Sequence, residues 1–197
     1  MCSWCYAFQP TWQEISAGLP GAVEVTYVLG GLAADDDEPM TASLQHSIQQ
    51  HWQRIQQVVP GTQFNFEFWS ACKPRRSTYP ACRAVIAAVN QKQHIEEAML
   101  QAIQRAYYRE ARNPSDYSTH VELAEELQLD VARFKKDLTS AETDQELMRQ
   151  IALTQSFNVP GFPAMVLALG NQQHVIPIDY INAETTLNMI DEALSSK

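Results

Sequence analysis

The chain opens with two cysteines separated by two residues, Cys2 and Cys5, at the start of a segment with a helical pattern. A sulfur at the N-cap of a helix faces unpaired backbone N–H groups and the positive end of the helix dipole, and both favour thiolate over thiol. We therefore predict that Cys2 is a nucleophile. Cys5, one turn further on, is placed to attack a mixed disulfide formed at Cys2, release the substrate and close a Cys2–Cys5 disulfide. The chemistry that this pattern predicts is disulfide exchange.

The same Cys-x-x-Cys spacing occurs in haem attachment sites, in zinc sites and among structural cysteines. A haem attachment site requires His after the second cysteine, where this chain has Tyr6. A zinc site requires two more ligands, and Cys72 and Cys82, with nine residues between them, do not form a second pair at zinc spacing. Buried structural cysteines are disfavoured because Ser3 and Trp4 at a helix start suggest exposure. We favour the redox site over both remaining alternatives and expect no metal.

The composition of the 197-residue chain, with 45% hydrophobic residues, is that of a globular protein. Its formal net charge of -9 disfavours nucleic acid and anionic membrane surfaces as partners, because both carry negative charge. The sequence has neither a run of about 18 apolar residues that would span a membrane nor the pattern of a secretory signal. From these features we expect a cytoplasmic protein, whereas the oligomeric state is not predicted by the sequence.

The elements that must position the cysteines are indicated by hydrophobic patterns. Val23–Leu29 alternates and is rich in β-branched residues, which predicts a strand. Residues 41–157 have an almost wholly helical pattern, interrupted by Thr62–Phe68, which alternates like a strand or an extended segment. Within this stretch, capping-box spacing predicts that helices start at Thr119 and at Thr143.

The C-terminal part has the pattern of a β-hairpin followed by a helix. Pro163 directly precedes an apolar segment, and since proline cannot donate to a sheet ladder, we expect it at the first residue of a strand. At this position we expect the bond between Phe162 and Pro163 to be cis. Gly170 and Asn171 form a turn signal, and His174–Ile178 is predicted to be the partner strand. An amphipathic helix closes the chain.

This order of elements resembles the thioredoxin fold with a large helical insertion, as found in the DsbA-like family, and the resemblance covers nearly the whole chain. Cys2–Phe8 and Gly161–Ala164 look closest to a bacterial branch of candidate protein disulfide isomerases without secretion signals. The implied fold class is α/β. The implied organisation is a thioredoxin-like domain of residues 1–40 and 158–197, with residues 41–157 as an inserted, mainly helical subdomain.

The resemblance also implies roles for individual residues. Cys2 would be the nucleophile, and Pro163 the cis-proline that lies against the active-site disulfide. The backbone N–H and C=O of Phe162 would pair with an extended substrate segment beside Cys2. Ser3 and Trp4, between the cysteines, complete the predicted substrate-binding residues. The implied activity is thiol–disulfide oxidoreduction or isomerisation on protein thiols or glutathione, without a metal or organic cofactor.

A second resemblance leaves a rival function open. Ser77–Ala84 resembles a segment of kappa-class glutathione transferases and chromene-carboxylate isomerases that approaches the bound thiol. It implies glutathione chemistry on a small molecule, with Arg75, Arg76 and Arg83 as candidates to attract a glutathione carboxylate. Those relatives usually carry Ser in place of the first cysteine, so Cys2 argues against this function. A non-catalytic thioredoxin-like binding module is the third alternative.

The remaining cysteines, Cys72 and Cys82, are either two free thiols, which we favour, or a second redox pair. Pro74 and Pro80 between them suggest a loop that could bring the sulfurs together. Spacing alone does not establish the Cβ separation of roughly 4 Å that a disulfide needs.

The resemblance also predicts a strand that the sequence lacks. In the thioredoxin fold the redox helix follows a central strand, which would lie between Val23–Leu29 and Ala164–Leu169, yet only Met1 precedes Cys2. Without that strand its two neighbours would stand about 10 Å apart, and their facing backbone groups would lack partners. We therefore expect the native protein to carry roughly 8 to 12 further, largely apolar residues before Met1.

Overall fold

Nine helices and one β-hairpin follow one another along residues 1–195, the part of the chain that the computed structural model describes. Their bounds are α1 (Ser3–Gly18), α2 (Ala42–Val58), α3 (Phe68–Ala71), α4 (Tyr79–Val89), α5 (Glu96–Tyr108), α6 (Tyr117–Glu126), α7 (Val131–Leu138), α8 (Ala141–Ser156), β1 (Met165–Leu169), β2 (Gln172–Ile176) and α9 (Ala183–Ser195). The chain is thus mostly helical, with a small antiparallel sheet near its end.

Helix α1, which begins one residue after Cys2, is anchored along two faces. Phe8 and Ile15 lie in a buried cluster with Ala183 of α9, and Ala7 lies in another with Ile55 of α2. Burying an aliphatic or aromatic side chain contributes about 1.5 to 3 kcal/mol relative to leaving it exposed. These contacts therefore fix α1 between α2 and the C-terminal part of the chain.

The largest core cluster joins helices α4, α5, α6 and α7. Helix α4 lies at its centre, in contact with α5, α7 and α8, and most of its buried side chains are alanines. Small side chains let neighbouring helices approach closely. Met99, Leu123 and Phe134 from the surrounding helices are fully buried against this helix. The helical part of the chain thus has its own core, although the predicted division into domains stays a prediction.

A second cluster is aromatic and lies between α2, α3 and α5. Trp52, which is fully buried, contacts the rings of Phe64, Phe68 and Tyr108. Residues 62–68 were predicted as a strand or extended segment; residues 62–65 belong to neither a helix nor a strand, and α3 begins at Phe68. Their aromatic side chains turn onto Trp52, while the Asn65 N–H donates to the Tyr108 carbonyl at 2.7 Å.

The C-terminal hairpin and the closing helix are confirmed. Strands β1 and β2 pair antiparallel from Met165 with Ile176 to Leu169 with Gln172. The two-residue turn places Gly170 at φ +61°, a conformation that glycine adopts without steric cost. Strand β2 begins and ends two residues earlier than predicted, and α9 follows it.

The predicted strand at Val23–Leu29 is wrong. Within residues 1–195 no strand lies beside this segment, so it forms no ladder and is not a β-strand. At its end the Leu29 N–H donates instead to Oε1 of Gln150 at 2.9 Å, and Oγ1 of Thr154 donates to the Leu29 carbonyl at 3.5 Å. A segment with a strand pattern forms a β-strand only when it pairs with a neighbouring strand. Here the hydrogen-bonding partners of Leu29 come from helix α8 instead.

The predicted helix starts at the two capping boxes are also displaced. Helix α6 begins at Tyr117 and helix α8 at Ala141, so Thr119 and Thr143 lie inside the first turn of each helix. At α8 the cap is Ser140, whose Oγ accepts the Thr143 N–H at 3.1 Å. Ser and Thr are both effective caps, and the earlier of the two takes this role.

Candidate active site

Cys2 is the N-cap residue of α1. Its backbone is extended, with φ -88° and ψ 115°, and its Sγ accepts the backbone N–H of Cys5 at 3.4 Å. This N–H belongs to the first turn of the helix and has no partner within the helix. On its other side, the Cys2 Sγ lies 3.4 Å from the carbonyl oxygen of Phe162. The sulfur therefore sits between the start of α1 and the segment that leads into β1.

The hydrogen bonds around Cys2 lower its pKa to about 6. The largest cause is a hydrogen bond from the Cys5 side chain to Cys2; backbone N–H groups of Cys5 and Trp4 act in the same direction, and burial opposes them. The Phe162 carbonyl can accept only from the protonated thiol, so it favours the thiol form. Donors outnumber this acceptor, and the Cys2 thiolate predominates at neutral pH.

Cys5 has the opposite property. Its pKa is raised well above the usual value because it donates the hydrogen bond to Cys2, because it is buried and because the Cys2 thiolate repels a second negative charge. Both thiols are free and half-buried. The pair therefore consists of one ionised thiol and one protonated thiol held one turn apart, which is the distribution that attack and resolution require.

Tyr180 is a residue of this site that the sequence did not predict. It follows β2, and its ring packs against that of Trp4 with the centroids 5.0 Å apart. Its pKa is raised to about 12 by burial and by the nearby charges of Cys2 and Cys5. Its backbone carbonyl accepts a hydrogen bond from Oγ1 of Thr11 at 2.7 Å, which fixes this loop to α1. Nothing in the local sequence distinguishes this tyrosine, since only the fold brings it to the cysteines.

A stacked pair of tyrosines also lies near the cysteines. The rings of Tyr6 and Tyr108 lie 4.5 Å apart at 21°, and the Tyr6 hydroxyl donates to the Gln63 carbonyl at 3.1 Å. Tyr108 is fully buried, and its pKa lies well above the usual value because of burial and, next, the neighbouring Tyr107. The C-terminal end of α5 therefore closes the site with an aromatic surface next to Cys2 and Cys5.

The bond between Phe162 and Pro163 is cis, as expected from the sequence. Both residues are half-buried, with the ring of Phe162 against Gly30. Ser3, the other predicted substrate-binding residue, is half-buried in the first turn of α1. The structure thus brings the predicted residues at the two ends of the chain together around the Cys2 sulfur.

A shallow groove of ≈ 360 Å³ has Tyr180 in its lining. Its lining is mostly apolar and comes from α2, the loop after β2 and α9; it consists of Val58, Pro177, Ile178, Asp179, Tyr180, Ile181, Thr185 and Met189. Ile181 is 67% exposed, which is unusual for a large apolar side chain. An apolar surface therefore continues from the site.

The segment that suggested glutathione chemistry is occupied by internal contacts. Ser77 and Thr78 are buried, and the Thr78 hydroxyl both donates to the carbonyl and accepts the N–H of Ala33, each at 2.9 Å. Arg75 pairs with Asp116, and Arg83 pairs with Asp35 and Asp144. Arg76 is exposed and forms no ion pair within residues 1–195. The only proton of the Thr78 hydroxyl is therefore already donated and is not available to a bound thiolate.

Cys72 and Cys82 are free thiols with separate partners. The Cys72 Sγ donates to the Ala111 carbonyl at 3.0 Å, whereas the Cys82 sulfur accepts a hydrogen bond from the backbone N–H of Gly31. Burial raises the pKa of both, that of Cys82 to about 11. The structure does not join them in a disulfide, and their assignment as a second redox pair stays a prediction.

Two further features of residues 1–195 concern a metal site and a membrane-spanning helix. No group of three or more His, Cys, Asp or Glu side chains in this part of the chain is arranged to hold a metal ion. Among the helices described there, none is both long enough and apolar enough to cross a membrane.

Comparison with solved structures gives matches over the whole chain. A candidate protein disulfide isomerase from Nitrosomonas europaea shares 26% identity, with coverage of 100% of this chain and 94% of that one and a TM-score of 0.87. The cytosolic disulfide reductase DsbM from Pseudomonas aeruginosa shares 24%, with coverage of 100% and 96% and a TM-score of 0.78. A second DsbM structure, which matches at 23% identity and a TM-score of 0.77, contains GSH.

A more distant match is 2-hydroxychromene-2-carboxylate isomerase, with 20% identity, coverage of 77% of this chain and 66% of that one, and a TM-score of 0.50. No curated protein is similar enough to the chain to count as a match. The model of the DSBA-like thioredoxin domain family, however, matches residues 1–185. The fold and the resemblance predicted from the two ends of the sequence are thus confirmed, and the chain belongs to the DSBA-like thioredoxin domain family.

Proposed function

We propose that the chain is a thiol–disulfide oxidoreductase or isomerase, with Cys2 as the nucleophile and Cys5 as the resolving thiol. The observation that carries this proposal is the position of the Cys2 sulfur at the N-cap of α1, where it accepts the Cys5 N–H at 3.4 Å. A half-buried sulfur in a field of hydrogen-bond donors is the arrangement of a reactive thiolate. Membership of the DSBA-like family supports the same chemistry.

The proposed exchange has two steps. The Cys2 thiolate attacks one sulfur of a substrate disulfide; a Cys2–substrate disulfide forms, and the other substrate sulfur leaves as a thiolate that takes up a proton. Cys5 then loses its proton and attacks the Cys2 sulfur, which releases the second substrate thiol and forms the Cys2–Cys5 disulfide. The substrate is reduced by two electrons and the enzyme is oxidised by two. A dithiol or two molecules of a monothiol such as glutathione restore the reduced pair, and the reverse sequence oxidises a substrate.

The surroundings of Cys2 are proposed to bind the substrate. Phe162, next to Pro163, would present its backbone to an extended segment, and Ser3 and Trp4 would contact the residues beside the bonded cysteine. The apolar groove that continues from Tyr180 supports a protein substrate, because an extended peptide with apolar side chains would bury surface there.

Glutathione is the small thiol that we propose as co-substrate, and the cytoplasm is the proposed location. Support comes from DsbM, which is described as cytosolic and has been solved with GSH. Cys72 and Cys82, which are free thiols, also fit a reducing compartment. No other organic cofactor and no metal is required by the two steps of exchange.

Insulin reduction by glutathione, with three cysteine variants, tests this function. We expect Cys2→Ser to lose essentially all activity, on the order of 10³-fold or more, because the nucleophile is gone. Cys5→Ser should accumulate a Cys2–substrate disulfide that is visible by mass spectrometry, because no thiol resolves it. Cys72→Ser is the matched control and should retain the wild-type rate.

The same variants separate the rival functions. Glutathione conjugation to a small electrophile that survives in Cys2→Ser, without insulin reduction by the wild type, would favour the transferase or isomerase. Absence of activity in both assays would favour a non-catalytic binding module. The occupied hydroxyl of Thr78 argues against the first outcome.

A further inference from the structure

Gly30 lies directly against the tip of the Phe162 ring. A Cβ atom added to Gly30 would stand 2.9 Å from Cε2 of Phe162 and still closer to Cζ and Cε1. Such distances are far inside the contact distance of about 3.5 to 4 Å between carbon atoms. The backbone of Gly30 is not in the left-handed region, so its conformation does not require glycine. What requires glycine here is the space that the ring occupies.

The backbone on both sides of Gly30 is held by helix α8 and by Thr78, the residue before α4. Leu29 is hydrogen-bonded through its N–H to Gln150 at 2.9 Å. Ala33 is hydrogen-bonded to Thr78, with the side-chain and backbone contacts between 2.9 and 3.0 Å. A segment anchored at both ends cannot move away from an added methyl group without losing these bonds. The ring of Phe162 would have to move instead.

Movement of this ring would reach the nucleophile, because Phe162 carries the carbonyl that lies 3.4 Å from the Cys2 sulfur. The geometry points to Gly30 as a positioning residue. Because Gly30 has no side chain, the Phe162 ring can pack against its backbone, and this packing holds the Phe162 carbonyl beside the Cys2 sulfur. The consequence for substrate exchange rests on the function proposed above. The effect on the pKa of the Cys2 thiol does not rest on that function, because it depends only on the position of the Phe162 carbonyl.

The substitution Gly30→Ala tests this inference. Displacement of the carbonyl removes an acceptor that favours the protonated Cys2 thiol, so the pKa of Cys2 should fall, by on the order of half a unit. The insulin reduction rate should fall on the order of tenfold, because the substrate-binding backbone is misplaced. The pKa is measured from the pH dependence of iodoacetamide alkylation of the reduced protein. Gly21→Ala is the matched control, because a Cβ there has no atom within 4 Å.

A double-mutant cycle with Phe162→Leu distinguishes positioning from a general structural role. Leucine lacks the three ring atoms that meet the added methyl group. If Gly30 acts through the ring, Gly30→Ala should change the pKa of Cys2 and the exchange rate little when Phe162→Leu is already present. The two substitutions should therefore couple strongly. If Gly30 acts independently of the ring, its effect should be the same in both backgrounds, which would overturn the inference.

The remaining outcomes are also decisive. A folded Gly30→Ala variant with the wild-type pKa of Cys2 and the wild-type exchange rate would refute the positioning role. If Gly30→Ala does not fold, recovery of folding in Gly30→Ala/Phe162→Leu supports it, and failure of that double variant contradicts it. If the wild type reduces no substrate, the proposed function fails, while the alkylation measurements still decide whether Gly30 positions Phe162.

Discussion

Cys2 and Cys82 both lie at the N-terminal end of a helix, yet their thiols have opposite properties. Cys2 caps α1 and has a pKa of about 6, whereas Cys82, the fourth residue of α4, has a pKa of about 11. The Cys2 sulfur receives hydrogen bonds from Cys5 and from backbone N–H groups. Cys82 receives one N–H, from Gly31, and burial outweighs it. The start of a helix lowers the pKa of a sulfur that accepts hydrogen bonds from its free N–H groups. It has little effect on the pKa of a sulfur that lies within the first turn.

Cys5 extends this comparison, because it occupies a position in α1 similar to that of Cys82 in α4. Both are half-buried within the first turn, and both have a raised pKa. The difference is the neighbour: Cys5 lies one turn below a second thiol, whereas the sulfur of Cys82 meets a backbone N–H. A buried thiol becomes a resolving thiol only when a reactive sulfur lies within its reach.

The first prediction, with the largest effect, concerns alkylation at pH 7. Cys2 should be mostly in the thiolate form at this pH. Because Cys82 has a pKa of about 11, roughly one molecule in 10⁴ should carry Cys82 as a thiolate. The lower intrinsic nucleophilicity of a low-pKa thiolate offsets part of this difference. We expect Cys2 to react with iodoacetamide on the order of 10³-fold faster than Cys82, as measured by mass spectrometry of the reduced protein. A Cys2 that titrates near the reference value of about 8.5 would remove the basis of the comparison.

The second prediction is a pH dependence of stability that the Cys2 thiolate confers. The pKa of Cys2 is lower in the folded chain, about 6, than the value of about 8.5 expected in the unfolded chain. The folded protein therefore binds fewer protons, and this contribution is present above pH 8.5 and lost as the pH falls through 6. Between these limits the free energy of unfolding should rise by roughly 2 to 3 kcal/mol relative to that of Cys2→Ser.

Urea denaturation of the reduced protein between pH 6 and 8.5 measures this difference. The upper limit matters, because Cys5 has a raised pKa and opposes stability once it begins to ionise in the unfolded chain. Cys72→Ser is the control, and its curve should run parallel to that of the wild type. If the wild type and Cys2→Ser show parallel curves, the Cys2 thiolate is not stabilised by the fold.

The parts of the fold that were predicted from the sequence are those determined by local interactions. The start of α1 after Cys2 depends on a cap and the residues that follow it, and the hairpin depends on Gly170 at its turn. At Val23–Leu29 the same type of reasoning failed, because a strand also requires a partner strand, which alternation within one segment cannot supply. The capping box at Thr143 failed for a local reason, since Ser140 offers an equally good cap three residues earlier.

The candidate site shows the same division. The two cysteines were predicted from their spacing at a helix start, and Pro163 from its place before an apolar segment and from the family resemblance. Tyr180 and Gly30 were not predicted, because their importance arises from contacts with Trp4 and Phe162, more than 100 residues away in the chain. A glycine that leaves space for a distant ring has no signal in its own neighbourhood.

The third prediction, with the smallest effect, concerns the other two cysteines. Cys82→Ala leaves the Gly31 N–H without its sulfur acceptor, and we expect the free energy of unfolding to fall by about 1 to 2 kcal/mol. Cys72→Ala removes a donor from the Ala111 carbonyl at a less deeply buried position, and the expected loss is about 0.5 kcal/mol. Urea denaturation under reducing conditions measures both.

Insulin reduction by the same two variants decides what these cysteines are for. If Cys72 and Cys82 stabilise the fold as separate thiols, both variants should reduce insulin at the wild-type rate, whatever their loss of stability. Each sulfur has its own backbone partner, so neither substitution should affect the other, and the two losses of stability should add in the double variant. A common loss of activity in both single variants, with no further loss in the double variant, would instead establish them as a second redox pair and end the contrast with Cys2 and Cys5.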